Sequence, residues 1–255
     1  MKTRILLNKL AKYYPKRWAK KFHDHVGLMT GKLPEEVNKI LLCLDFDYEV
    51  LPYVKKVKPD IIITHHPFIY GTKRQVFKWD ERKEQLCNEI DAMGIPVYSF
   101  HTNFDTGKDG MNDALAGALE LENIYAPESM PMMRIGFLKK PMDVEEFAKY
   151  AKEKFKVTYG LLIAAGKKKV QKVGVIGGGG ARYWNIARDE GCDIYISGDT
   201  PHHNRRSIVD VKFNYIDFPH EIEHIFMPQM KKTLLKIDSS LEVIEIDHEQ
   251  LPEVI

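Results

Sequence analysis

Short runs of apolar residues alternate along this chain with longer segments in which apolar positions recur every three or four residues. The first pattern fits a strand buried on both faces, the second a helix with one buried face. Met1 to Lys21 places Ile5, Leu6, Leu10, Tyr13 and Tyr14 at helical spacing, and Pro15 is expected to end that helix. Val37 to Phe46 reads as a strand ending in acid, Tyr48 to Val57 as a helix, and Ile61 to Thr64 as a second strand. Arg82 to Met93 is amphipathic and helical; Gly94-Ile95-Pro96 then turns into a strand, Val97 to Phe100, before a helix over Met111 to Leu121. This β-α-β-α-β order predicts a parallel sheet covered by helices.

A stretch rich in Pro and Met, Ala126 to Pro131, marks a boundary. Beyond it the pattern predicts a strand (Met133 to Phe137), a helix (Val144 to Phe155) and a strand (Val170 to Ile176). The glycine run Gly177 to Gly180 follows, then a helix (Tyr183 to Glu190) and a strand (Asp193 to Ser197). Ile208 to Asp217 is expected to hold one more strand, and a helix near Glu221 to Leu235 and a strand over Leu241 to Ile246 close the chain. The expectation is an α/β protein of two similar three-layer α/β/α lobes with mainly parallel sheets. Residues 1–126 would form the first and 127–255 the second, with the last helix and strand able to pack back on the first.

Composition narrows the function classes. Apolar residues at 44% and charged residues at 29% are ordinary for a soluble globular protein. A net charge of +2 gives no global field for nucleic acid, and the basic segment Lys9 to Lys21 reads as a solvated helix face. Cys43, Cys87 and Cys192 are scattered and lack CxxC spacing, which excludes a thiolate zinc site and fits a reduced, cytoplasmic protein. No apolar stretch reaches the ~20 residues that span a bilayer, and the basic N-terminus lacks the apolar core of a signal peptide.

The chemistry gathers at predicted element ends. Thr64-His65-His66-Pro67 closes one strand, His101-Thr102-Asn103-Phe104-Asp105 follows another, and Asp199-Thr200-Pro201-His202-His203 a third. Asp217-Phe218-Pro219-His220-Glu221-Ile222-Glu223-His224 opens the last helix. Seven of the ten histidines lie in these four segments, a clustering that scattered core or surface histidines would not give. Nitrogen and carboxylate ligands without sulfur suit zinc, iron, manganese, cobalt or nickel. Glu223 stands three residues after His220 and His224 four, and either spacing shares a helix face. Glu223 is the better bridging candidate because a carboxylate can hold two ions where a neutral imidazole cannot. Two ions sharing a water would yield a metal-bound hydroxide without Ser or Cys. His101 is then a candidate catalytic proton donor or substrate contact, or a residue that orients Asp105.

Gly177 to Ala181 lies between a predicted strand and helix, as in a dinucleotide-binding turn, and Asp199 lies about twenty residues on, where a ribose-binding acid would sit. A wall or phosphate cradle at a substrate cleft fits the same run.

In sequence order, several segments resemble one family. Asp24-His25-Val26-Gly27-Leu28 resembles its Asp-Asn-Val-Gly-Leu, and Ile63-Thr64-His65-His66-Pro67 its double-histidine strand end. His101-Thr102-Asn103-Phe104-Asp105 resembles its His-Thr-Asn-Leu-Asp, and Gly177 to Ala181 takes the place of its Gly-Gly-Ser-Gly. Gly198-Asp199 with His203 resembles its Gly-Asp-x-x-x-His, and His220 with Glu223 its closing Gly-His-x-x-Glu, with Pro219 in place of the glycine. The chain thus resembles the NIF-three-like proteins, also labelled GTP cyclohydrolase I type 2 homologues, in the short form without an inserted domain. The resemblance implies two divalent metal ions in a cleft between the lobes, held by His65, His66, Asp105, His220 and Glu223. It also implies a toroidal homohexamer built as a trimer of dimers. The expected function is a metal-dependent hydrolase of a small nucleotide- or pterin-like substrate, the alternative a non-catalytic metal-binding or metal-delivery protein.

Overall fold

A computed structural model describes all 255 residues, and the chain divides into two units, Met1–Gly110 with Phe226–Glu249, and Met111–Ile225 with Gln250–Ile255. In chain order the first unit holds α1 (Thr3–Tyr13), α2 (Lys16–Lys21), β1 (Gly27–Thr30), β2 (Lys39–Cys43), α3 (Leu51–Val57), β3 (Ile61–Thr64), α4 (Lys73–Trp79), α5 (Glu81–Ala92), β4 (Val97–Ser99) and α6 (Thr102–Thr106). The second holds α7 (Met111–Ala118), β5 (Glu122–Tyr125), β6 (Arg134–Asp143), α8 (Val144–Lys154), β7 (Leu161–Ala164), β8 (Lys169–Val175), a 3₁₀ turn (Gly180–Tyr183), α9 (Trp184–Asp189), β9 (Ile194–Gly198), α10 (His202–Asp210), β10 (Asn214–Phe218) and a 3₁₀ segment (His220–Ile225). The chain then returns to the first unit as α11 (Phe226–Ile237) and β11 (Glu242–Glu245).

The first sheet has the order β1-β4-β3-β2-β11, parallel throughout except for β1, which runs antiparallel to β4. Leu41 pairs with Ile62, and Ile62 with Val97, so these residues share one face. That face packs into a single core with Val54 of α3 and Leu86, Cys87 and Ile90 of α5. Ile40, Leu42, Ile61 and Ile63 on the other face are at most 1% exposed, and α11 packs against β2 and β11. Burial on both faces explains the unbroken apolar runs, since each such side chain withdrawn from water contributes roughly 1.5–3 kcal/mol. Asp80 caps α5 by accepting from the Lys83 amide, and Thr72 with Gln75 forms a capping box on α4.

The second sheet has the order β5-β6-β8-β9-β10-β7. Its centre, β8-β9-β10, is parallel; β5 with β6, β6 with β8, and β10 with β7 are antiparallel, so this sheet is mixed. Every residue of β9 and β10 is buried.

Two local expectations hold and are refined. Pro15 does end α1, but the chain at once begins α2. Ile208 to Asp217 is the end of α10 followed by β10; Ile208 is a buried helical residue, and Lys212 turns the chain at φ 54°.

The parallel strands decide where polar residues gather, because parallel neighbours end on the same edge of a sheet. Asp45, His65, His66 and His101 all follow the C-terminal ends of β2, β3 and β4. In the second unit Gly178, Asp199 and His220 follow the ends of β8, β9 and β10.

Candidate metal centre

In the first unit, β3 ends in a tight arrangement that presents both histidines. The amides of His65 and His66 donate to the Leu44 carbonyl, each at 3.1 Å. The Thr64 hydroxyl donates to the His66 carbonyl at 2.8 Å and lies 2.7 Å from the Ser99 hydroxyl on the adjacent strand. His65 is fully buried between rings, its centroid 5.2 Å from Phe226 and 6.1 Å from Phe104. His66 is half-buried.

Every imidazole here is held at its Nδ1. His65 Nδ1 lies 2.9 Å from the Phe100 carbonyl, His66 Nδ1 2.6 Å from Asp45 Oδ2, and His101 Nδ1 2.9 Å from Asp24 Oδ2. A carbonyl or ionised carboxylate only accepts, so Nδ1 carries the proton and the Nε2 lone pair is left to bind. Burial by itself would raise the Asp24 carboxyl. Its bonds from His101 and Thr102 outweigh this and hold it below the usual carboxylate range. Asp45 behaves likewise, with His66 outweighing burial.

His65, His66 and His101 can each offer a ring nitrogen to one ion, and these atoms lie within 4.8 Å of one another. Asp105, in the first turn of α6, brings its Oδ1 to 3.5 Å from His65 Nε2. The His101 carbonyl accepts from the Asp105 amide at 3.0 Å, while the His101 ring is engaged by Asp24.

In the second unit His220 repeats the arrangement. Its Nδ1 lies 2.6 Å from Asp199 Oδ2 and its Nε2 3.1 Å from Glu223 Oε2. Glu223 is buried, and His224 is half-buried on the same 3₁₀ segment. His203 is exposed on α10.

The glycine run shapes this pair. Gly178 has φ 54°, and a Cβ there would overlap Glu223 Oε1 and come within 3.0 Å of His220 Cε1. Its carbonyl accepts from the amides of Gly180 and Gly198 and from the Ser197 hydroxyl, at 2.9, 2.8 and 3.0 Å. The space the glycines leave is thus filled by a carboxylate and an imidazole. A carboxylate there repels phosphate, and the run enters a 3₁₀ turn rather than an α-helix N-terminus. The dinucleotide reading therefore gives way to that of a wall for Glu223 and His220.

The residues fit a divalent ion. Imidazoles fixed at Nδ1, with carboxylates beside their Nε2 atoms at His65 and His220, are the donor set and outer support of histidine metal sites. Asp24, Asp45 and Asp199 carry that support, and sequence reasoning did not assign it to them. Their one sequence signal is position, since Asp45 and Asp199 each follow a strand end.

The sequence pattern of the Duf34/NIF3 (NGG1p interacting factor 3) family matches residues 1–252. The GTP cyclohydrolase 1 type 2 homolog of Lactococcus lactis is 29% identical over 262 residues, covering 99% of this chain and 98% of that protein. The homolog of the same name from Methanocaldococcus jannaschii is 30% identical over 252 residues, covering 97% and 100%. Among solved structures, a Bacillus cereus protein related to NIF3 superposes with a TM-score of 0.87 at 21% identity, covering 100% and 99% of the two chains. Reduced HcgD from Methanocaldococcus jannaschii superposes with a TM-score of 0.82 at 26% identity, covering 97% and 98%. With the match running over nearly its whole length, this chain belongs to the Duf34/NIF3 family.

Proposed function

We propose that the protein is a cytoplasmic, metal-dependent hydrolase acting on a small nucleotide- or pterin-like substrate. His65, His66, Asp105, His220 and Glu223 would hold two divalent ions. The observation that carries this reading is the shared state of four histidines: His65, His66, His101 and His220 each have Nδ1 held by a carbonyl or carboxylate, the outer support that orients imidazoles in metal sites. The two donor groups serving one centre is part of the proposal. The name shared by the Lactococcus and Methanocaldococcus relatives supports a nucleotide substrate.

Bound ions would supply Lewis acidity and lower the pKa of a coordinated water. The chain's own part is positioning and proton handling. His101 can accept a proton at Nε2 while Asp24, ionised and fixed by four donors, stabilises the imidazolium through Nδ1. Buried Phe104 and Phe226 keep water from the inner side of His65. The homohexamer belongs to the same proposal and is read by light scattering.

Elemental analysis of protein purified without chelators tests the reading. His65→Ala and Glu223→Ala should each lose metal while the circular dichroism spectrum is retained. Wild-type metal content in both variants would overturn the ligand assignment. A metal-delivery role is the second reading, favoured by the His220 side chain being 36% exposed and so open to exchange. Transfer of the metal to a chelator within seconds, with no turnover of GTP, would select it.

A further inference from the structure

A cavity of about 300 Å³ lies in the first unit between α2 and β1, and Asp24 lines it. Asp24 is also the residue that holds His101, so the cavity adjoins the candidate centre through one side chain. Leu28 and Ile69 give it an apolar wall, with Leu28 43% exposed. Lys16 and Lys20 give it a cationic rim.

The two lysines stand four apart on α2, so they share a helix face. No carboxylate lies within 4.0 Å of either ammonium. Lys73, the third lysine of the lining, is by contrast paired with Asp91 at 3.2 Å. An unneutralised like-charged pair at this spacing costs a few tenths of a kcal/mol, which a bound anion would reverse. Lys16 is also placed rather than loose. Its Nζ lies 5.7 Å from the Tyr98 ring centroid, and it crosses Gly27 so closely that a Cβ there would stand 2.7 Å from it. Asp24 is the carboxylate of the lining and keeps its charge, but Lys16 and Lys20 outnumber it. Asp24 already accepts from the His25 and Thr102 amides, the Thr102 hydroxyl and the His101 ring.

We propose that this cavity is the phosphate-binding end of the substrate site, Lys16 and Lys20 pairing with a phosphoanion and the Leu28 wall meeting the ring system of the same molecule. The inference rests on the hydrolase reading above, and deepens it by requiring a phosphorylated ring compound.

Titration calorimetry on metal-containing protein, with GTP and with inorganic triphosphate as probes, tests it. Wild type should bind both, more weakly as ionic strength rises. The K16E/K20E variant should lose at least about a hundredfold in affinity for both, each lysine removing a charge-assisted contact. Leu28→Asp should weaken GTP more than triphosphate. Absence of GTP binding to wild type overturns the proposal. So does wild-type GTP affinity in both K16E/K20E and K16A/K20A with melting curves unchanged. Metal content, measured on the same samples, should not change with the lysine substitutions. Loss of the metal reading would appear there, separately from loss of the phosphate site.

Discussion

His220 Nδ1 lies 2.6 Å from Asp199 Oδ2, and Asp199 itself stands in left-handed backbone at φ 53°. A non-glycine residue in that region costs roughly 1–3 kcal/mol and persists only where the surroundings hold it. Thr200 supplies the hold: its amide reaches Asp217 Oδ1 at 3.4 Å, and its hydroxyl donates to Tyr215 at 2.8 Å. The strain places a carboxylate behind the imidazole. Asp199→Asn keeps this backbone readily and removes the charge. It should fold like wild type and hold metal about 10–100-fold more weakly, as measured by competition with a chelator. Unchanged metal affinity would show that Asp199 does not tune the histidine.

Gly178 and Gly179 are neighbours with opposite tolerance. At Gly178 a methyl group would overlap Glu223 Oε1, in backbone at φ 54°. At Gly179, where φ is −75°, its nearest neighbour would be Asp199 Oδ2 at 3.6 Å, ordinary contact. Gly178→Ala should cost at least about 1–2 kcal/mol from backbone alone and should displace Glu223, lowering metal content. Gly179→Ala should be near neutral in both. Urea melts and elemental analysis on the pair give the comparison, and equal behaviour would refute the cradle.

Asp193 makes a pH-dependent contribution to the second unit. Burial would raise its carboxyl, but Lys167 and the amides of Lys172 and Gln171 outweigh that and hold it below the usual range. A depressed folded-state value means the contribution is present above the unfolded value, near 3.8, and is lost as pH falls through the folded one. Asp193→Asn should therefore destabilise by about 1.5–3 kcal/mol at neutral pH. The gap to wild type should narrow as pH falls through the unfolded value and close below the folded one, which urea unfolding from pH 7 downward measures. A gap independent of pH would assign the loss to packing.

Phe226 closes the inner side of His65, with its centroid 5.2 Å from that ring and 5.0 Å from Phe104. Phe226→Ala should cost about 3–5 kcal/mol, and Phe226→Leu less, because the cavity is smaller. If the ring also fixes His65, Phe226→Ala should release metal faster than Phe226→Leu in a stopped-flow chelator assay. Equal release rates would confine Phe226 to packing.

Much of this was legible in the residues. Ile61 to Thr64 is buried at every position, which the apolar run Ile61 to Ile63 records, and the two histidines beyond it mark where the strand ends. The helices Arg82 to Met93 and Val144 to Phe155 appear within a residue or two, since one buried face enforces helical spacing. β1, β5 and β7 were not legible: they are four-residue edge strands, and the exposed positions in each, all four in β5, leave no buried run to read. α10 was missed because its one buried residue, Ile208, cannot show a period.

The sequence by itself determined the elements with large buried faces, the clustering of histidines at their ends, and the membership of a family whose pattern spans residues 1–252. Only the tertiary structure decided which acceptor meets which imidazole. His101 finds Asp24 across 77 residues, His66 finds Asp45 across 21, and His220 finds Asp199 across 21. These partners are set by strand order and register, which bring the C-terminal ends of the parallel strands, and the start of antiparallel β1 just after Asp24, onto one edge. An apolar period records that a residue is buried, whereas the direction of a ring nitrogen depends on the one polar atom placed opposite it.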